Sequence, residues 1–203
     1  MDSVGERYAA RLAAIAASGK DMHGEARFVT ALVDPGARVL DAGCGTGRVA
    51  ARLAELGYDC VGVDHDETML AVARRTPGVQ WEQGDLAQWE SKGDFDLVIA
   101  AGNVVPLVAD PPAVVARLAR HLRVGGLLVT GFGLVAEHLP PGGPQLPLAD
   151  YDAWCTDAGL ELQARYGTWD GAPFEGGYAL SVWRCAGQPA SRGVNAGQGS
   201  VSS

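Results

Sequence analysis

The chain has 203 residues, 47% of them apolar, and a formal charge of −8. That length supports one sizeable core and one domain. The acidic balance, with lysine only at Lys20 and Lys92 and the arginines scattered, excludes the basic face with which a nucleic-acid binder meets phosphates.

Residues 4–17 carry Val4, Tyr8, Leu12 and Ile15 at three- and four-residue spacing, which predicts an amphipathic helix ended by Gly19. A second helical pattern, 24–33, stops at Asp34-Pro35-Gly36. Strands and helices then alternate. Strand 38–42 leads to a helix at 47–57, strand 59–64 to a helix at 67–75 with Asp66 as N-cap, and Pro77-Gly78 turns into strand 79–82. The run 95–100 is nearly all apolar, as in a strand buried on both faces. Asp110-Pro111-Pro112 opens a helix that ends near Gly125-Gly126, and strand 127–132 follows. His121, near that helix's C-terminus, reads as complementing its dipole. Residues 133–149 read as a Pro- and Gly-rich surface loop. A short helix, 150–158, is expected to be capped by Asp150. Strands 160–169 and 176–184 flank the turn signal Asp170-Gly171-Ala172-Pro173 and form a hairpin. The tail 187–203 is Gly/Ser/Gln-rich and is expected to be disordered. The alternation implies a doubly wound α/β sandwich over 1–186, an N-terminal helical cap (1–34) on a core (35–186), with one hairpin strand joining the sheet antiparallel.

Cysteines at 44, 60, 155 and 185 form no Cys-x-x-Cys pair and have no histidine at ligand spacing, so neither a metal site nor a disulfide framework is expected. Cys60 and Cys185 read as small buried apolar residues. No apolar run is long enough to cross a bilayer and no secretory pattern opens the chain, so a cytoplasmic setting and no membrane partner are expected.

Chemistry gathers at the carboxyl ends of the strands, where open parallel sheets bind ligands. After the first strand comes Asp41-Ala42-Gly43-Cys44-Gly45-Thr46-Gly47, whose alternate glycines allow a sharp turn and close approach to a ligand. A pyrophosphate would be repelled by Asp41, whereas a cationic cofactor would be attracted. Asp64 ends the second strand, 21 residues beyond Gly43, where a carboxylate can accept both hydroxyls of a ribose. Gly84-Asp85-Leu86 follows the third: Asp85 can accept from an adenine amine, and the Leu86 amide can reach a ring nitrogen. Met69 and Leu86 offer apolar cover for the ring. Ala101-Gly102-Asn103-Val104 follows the fourth.

With Val61-Gly62-Val63-Asp64, Phe95-Asp96-Leu97-Val98-Ile99 and Leu122-Arg123-Val124-Gly125-Gly126-Leu127-Leu128, this set resembles the class I S-adenosylmethionine-dependent methyltransferases over roughly residues 25–185. The resemblance implies a Rossmann-like seven-stranded sheet of order 3-2-1-4-5-7-6 with strand 7 antiparallel. It also implies that Gly43, Gly45 and Gly47 pack against the methionine portion and ribose of S-adenosylmethionine, and that Asp41 sits near its ammonium, directly or through water. Asp64 would hold the ribose, Gly84, Asp85 and Leu86 the adenine, His65 the cofactor's rim. The backbone from Ala100 through Gly102 to Asn103 would line the methyl-transfer face. The same-fold competitor, a dinucleotide dehydrogenase, wants glycine at the sixth position of its fingerprint, where Arg48 stands here.

Methyl transfer from a sulfonium is an in-line displacement that needs no metal, so the protein mainly aligns the partners. If the acceptor carries a proton, His23, His138 and Tyr8 are the candidate bases. The Asn/Asp-Pro-Pro-aromatic motif of nucleic-acid amino methyltransferases is absent, and the only additions are short helices and one loop. A small-molecule acceptor is expected. The alternative is an S-adenosylmethionine-binding protein that is regulatory or catalytically degenerate. Oligomeric state is not legible.

Overall fold

The computed structural model describes residues 2–91 and 93–186; the tail 187–203 lies outside the described residues. Two helices lead, α1 (Val4–Ala17) and α2 (Gly24–Thr30). Then β1 (Arg38–Ala42), α3 (Arg48–Glu55), β2 (Asp59–Asp64), α4 (Glu67–Ala73) and β3 (Val79–Gln83) alternate. β4 (Phe95–Ala100) is followed by the one-turn α5 (Val104–Leu107), α6 (Pro111–Arg120) and β5 (Leu122–Gly133). A 3-10 turn (Ala136–His138) and α7 (Leu148–Asp157) precede β6 (Leu160–Tyr166) and β7 (Tyr178–Cys185).

The strands form one sheet of order β3-β2-β1-β4-β5-β7-β6, parallel except for β7, which runs antiparallel to both neighbours. Successive strand residues point to opposite faces, and both faces are covered. Leu40, Val98 and Leu128 enter a core with Val115, Leu118 and Tyr151 of α6 and α7. Val39, Leu97 and Val129 enter the other core with Val29, Val49 and Leu53 of α2 and α3. Each such aliphatic side chain contributes about 1.5–3 kcal/mol. This is why the run of β4 is nearly all apolar, broken only by Asp96, and why Val39 and Leu40 of β1 are both buried. On the far face of the hairpin, Arg165 forks onto Asp152 of α7 and its Nε donates to the buried Ser181 hydroxyl at 3.0 Å.

At the other end α1 starts from a Ser3–Glu6 capping box and lies on α4. The Gly5 amide donates to Thr68 Oγ1 at 3.1 Å, and a Cβ on Gly5 would stand 2.0 Å from the Thr68 carbonyl oxygen. Only glycine lets the two backbones approach this closely.

Several boundaries differ from the sequence expectation. α2 ends at Thr30; Leu32 and Val33 pack on the core from the turn that follows it. β5 begins at Leu122, not 127: Phe95 pairs with Leu122 and Leu97 with Leu127, so residues 123–126 loop out as a bulge with Gly125 at φ 80°. The glycine pair marks that bulge rather than the end of a helix. α7 starts at Leu148 after Pro147, and Asp150 sits in its first turn instead of capping it. His121 is buried, with Nε2 3.1 Å from the Trp89 carbonyl, and burial lowers its pKa. The positive charge at the end of α6 comes from Arg117 and Arg120. Cys60 is buried, whereas Cys185 is half-buried. Among the described residues no helix is long and apolar enough to cross a membrane.

Candidate functional site

A cavity of about 610 Å³ opens past the carboxyl ends of β1, β2, β3 and β4, walled on one side by α1 and on the other by α5 and the segment after it. Its floor is the turn from β1 into α3. The amides of Gly43 and Cys44 both donate to the Val63 carbonyl, at 2.8 and 3.0 Å, which folds the turn back onto β2. Gly43, Gly45 and Gly47 all have positive φ. They serve different purposes. A Cβ on Gly43 would meet Val104 at 2.6 Å and one on Gly47 would meet Trp81 at 2.3 Å, so these two let protein pack on the turn. At Gly45 nothing lies within 4 Å of that position; the space belongs to the cavity.

Asp64, 8% exposed, is held at both oxygens: Oδ2 accepts from the Gly45 amide at 2.7 Å and Oδ1 from the Asp66 amide at 2.9 Å. Each carboxylate oxygen has a second lone pair to offer a ligand. Asp41, 3% exposed, accepts from the Ala50 amide in the first turn of α3 at 3.1 Å. Burial pushes its pKa up to about 7, against the opposing pull of that hydrogen bond and of the Arg48 guanidinium. Asp85 Oδ1 accepts from the Ala87 amide at 2.9 Å in the turn after β3, while Leu86 beside it is buried. Met69, Gly84 and His65 line the same space.

The structure therefore brings Asp41, Gly43, Gly45, Asp64, His65, Met69, Gly84, Asp85, Leu86, Gly102 and Tyr8 to one cavity. It does not bring Gly47, Ala100, Asn103, His23 or His138 to its wall. Gly47 is behind the turn against Trp81, and Ala100 is buried within β4. Asn103, in the left-handed region at φ 70°, spends its side chain as a pin. Its Oδ1 accepts from the Gly133 amide at 2.7 Å and its Nδ2 donates to the His138 carbonyl at 3.1 Å, while its own amide donates to the Gly131 carbonyl. Those bonds hold the loop after β4 so that Ala101 and Gly102 face the cavity. His138 is exposed and lies edge-on to Tyr178, with ring centroids 6.0 Å apart. His23 sits at the start of α2, its amide held by Asp21. Tyr8, 41% exposed, is the one of the three candidate bases on the wall.

Sequence reasoning missed the apolar wall of Leu12, Leu107 and Val108: the stripe of α1 was read without the element it faces, and α5 carried no periodic signal in four residues. It also missed Cys44, Thr46, Asp66 and above all Arg48, which lines the cavity while Glu25 grips its guanidinium. Arg48 was legible only as a mismatch to another fingerprint. Among the described residues no cluster of His, Cys, Asp and Glu has the arrangement of a metal site.

Residues 39–126 match the family described as "Methyltransferase domain". The trans-aconitate 2-methyltransferase of Deinococcus radiodurans is 39% identical over 109 residues, 51% of this chain and 41% of that protein. The ubiquinone biosynthesis O-methyltransferase of Xanthomonas axonopodis pv. citri is 32% identical over 164 residues, 67% of this chain and 68% of that protein. Among solved structures, a TehB-like SAM-dependent methyltransferase from Corynebacterium glutamicum superposes with a TM-score of 0.81 at 34% identity, covering 89% of this chain and 97% of that one. The chain spans about two fifths of the length of the trans-aconitate enzymes it matches.

Proposed function

The chain belongs to the class I S-adenosylmethionine-dependent methyltransferases, and from that premise we propose that it methylates a small-molecule acceptor by in-line transfer. The observation that carries this reading is the carboxylate set around the glycine turn: Asp41, Asp64 and Asp85 line one cavity with the open face of Gly45. S-adenosylmethionine bears an ammonium and a sulfonium and no phosphate, so it suits such a lining; a dinucleotide's pyrophosphate does not. The small-molecule acceptor is favoured by the relatives, whose names concern trans-aconitate and ubiquinone biosynthesis. A walled cavity, rather than an open basic groove, also favours it.

In this reading Asp64 accepts from the ribose hydroxyls with its free lone pairs, already aimed by the Gly45 and Asp66 amides. Gly45 admits the ligand where any side chain would fill the space. Asp85 and the Leu86 amide meet the adenine edge, and Met69 and Leu86 cover its faces. Asp41 takes the ammonium. When bound, the cofactor supplies an activated methyl group on a good leaving group. The protein contributes alignment, which can be worth about 7–11 kcal/mol. Ala101 and Gly102 offer backbone against the reacting end, and the apolar wall of Leu12, Leu107 and Val108 sheds water from the acceptor. Tyr8 is positioned to orient the acceptor or relay its proton. The helices of residues 1–34 act as the cap and residues 35–186 as the core.

Titrating the purified protein with S-adenosylhomocysteine, and separately with NAD, tests the cofactor. Heat of binding with the first and none with the second is expected; uptake of NAD alone overturns the reading. Transfer of label from S-adenosylmethionine to small molecules of a cell extract tests the activity.

A further inference from the structure

The cavity has two unlike parts, and the cofactor engages only one of them. The strand ends supply Asp41, Asp64 and Asp85, and Asp66 stands beside them as the N-cap of α4. The other part is apolar. Tyr8 and Leu12 come from α1, and Leu107 and Val108 from α5 and the segment after it. Tyr8, Leu12 and Leu107 belong to neither packed core of the sheet. Tyr8 is 41% exposed and Leu107 53%. In the whole of α1 only Gly5 is buried, so the helix keeps its apolar stripe over the cavity instead of spending it on the fold. Apolar surface left open at a cavity wall marks a place for an apolar ligand.

Charge narrows the choice of ligand. Among the described residues that line the cavity, the basic side chains are Arg48 and His65, and both face carboxylates. Glu25 of α2 takes the Arg48 guanidinium in a two-point fork, with Oε2 accepting from Nη1 at 2.8 Å and Oε1 from Nη2 at 2.5 Å. Nη1 also donates to the Met22 carbonyl. His65 Nδ1 lies 3.6 Å from Asp64 Oδ1. S-adenosylmethionine brings one net positive charge, its ammonium and sulfonium set against its carboxylate, which is too little to reverse the sign of the lining. An anionic acceptor would need a cation, and Arg48 could serve only by leaving Glu25. The Glu25 side chain, 17% exposed, would then stand unpaired. We infer that the acceptor is an apolar molecule carrying no carboxylate, sulfonate or phosphate, seated against Tyr8, Leu12, Leu107 and Val108 while the carboxylates at the strand ends repel anionic rivals. This deepens the methyltransferase reading given above and rests on it. Specificity of this kind has an attractive and a repulsive element, and the two can be tested apart.

Two fluorescent dyes of one skeleton make the test: N-phenyl-1-naphthylamine, which is uncharged, and 8-anilinonaphthalene-1-sulfonate, which adds an anion. Each is titrated into the full chain saturated with S-adenosylhomocysteine, near neutral pH and at about 0.05 M salt. The uncharged dye is expected to bind tighter by about tenfold or more. Raising the salt to about 0.5 M is expected to narrow that ratio by screening the repulsion, which a mere difference in apolarity would not do. Leu107→Lys sets a cation on the apolar wall, and is expected to narrow the ratio by about threefold, weakening the uncharged dye and favouring the sulfonate. A sulfonate bound as tightly as the uncharged dye overturns the inference, and so does failure of the uncharged dye to bind. A ratio that salt does not narrow, or that folded Leu107→Lys leaves unchanged, overturns it as well. If Leu107→Lys fails to fold, the salt dependence decides alone. Failure of S-adenosylhomocysteine to bind in calorimetry instead removes the cofactor reading on which the inference stands.

Discussion

The Gly45 amide donates to Asp64 Oδ2 across 2.7 Å, joining the turn after β1 to the acidic end of β2. The carboxylate that would receive a ribose is therefore the same group that sets the pose of the turn meant to cradle the rest of the ligand. Asp66, two residues on, closes the loop by donating to Oδ1 and then caps α4 through the Thr68 amide. Binding groups from two strands move as one body.

Replacing Asp64 should therefore hit binding hard. Asp64→Ala removes the acceptors for two backbone amides and for the ligand. Charge-assisted hydrogen bonds are worth about 1.5–3 kcal/mol each, so affinity for S-adenosylhomocysteine should fall by at least tenfold in calorimetry. Unchanged affinity would remove the ribose assignment.

The glycines of the turn should separate stability from binding. Gly47→Ala places a methyl 2.3 Å from the Trp81 ring at positive φ, which combines strain of about 1–2 kcal/mol with overpacking of about 1–3 kcal/mol. Gly45→Ala carries the strain but meets open space. Chemical denaturation should find Gly47→Ala the less stable of the two, while ligand titration should find Gly45→Ala crippled out of proportion to its stability. The reverse ranking would show that the open face of Gly45 is not where a ligand sits.

Asp41 makes a pH signature in the free protein. Its carboxyl goes from an ordinary value of 3.8 to about 7 on folding. The folded state therefore holds the proton more tightly than the unfolded chain. The corresponding stability is fully present below about pH 4 and is lost as pH rises to about 7, a difference on the order of 4 kcal/mol. Asp41→Asn mimics the neutral form and keeps an acceptor for the Ala50 amide. The variant should gain stability over wild type from about pH 4 to about pH 7, level off above that, and lose cofactor affinity. A difference in unfolding free energy that stays flat over that range would show that Asp41 does not titrate there.

Deep in the core facing α6 and α7, Thr130 Oγ1 and Tyr151 OH lie 2.6 Å apart with neither residue exposed. Tyr151→Phe leaves the threonine hydroxyl without this partner and should cost about 1–3 kcal/mol. Adding Thr130→Val removes the stranded hydroxyl, so the double variant should be less destabilised than the sum of the singles. Strict additivity in urea unfolding would mean the two hydroxyls are not coupled.

Much of the fold was legible because its strands announce themselves. β1 and β4 are apolar on both faces, and glycine or proline punctuates the turns. The sheet order came from family resemblance, since alternation alone does not say which strand neighbours which. What periodicity could not reveal was local. α5 is a single turn containing Pro106, and the Gly125-Gly126 pair signals a helix stop and a strand bulge equally well. The carboxylates of the site were readable from their places at strand ends. Side-chain direction was not: nothing in the text of the sequence says that Asn103 turns toward Gly133 and His138 rather than toward a ligand. Arg48 escaped for a related reason. Its partner Glu25 is 23 residues away, on α2, with β1 and the glycine turn between them.

The antiparallel β7 sits between β5 and β6, although it comes last in sequence among the strands of the described residues. A ribosome must release Tyr178–Cys185 before β5 finds its second neighbour. Until then the nascent sheet keeps an unpaired edge along one of its longest strands, beside a β6 with nothing to hold. Synthesis that stops short by those few residues should yield a sticky, aggregation-prone fragment rather than a slightly smaller protein.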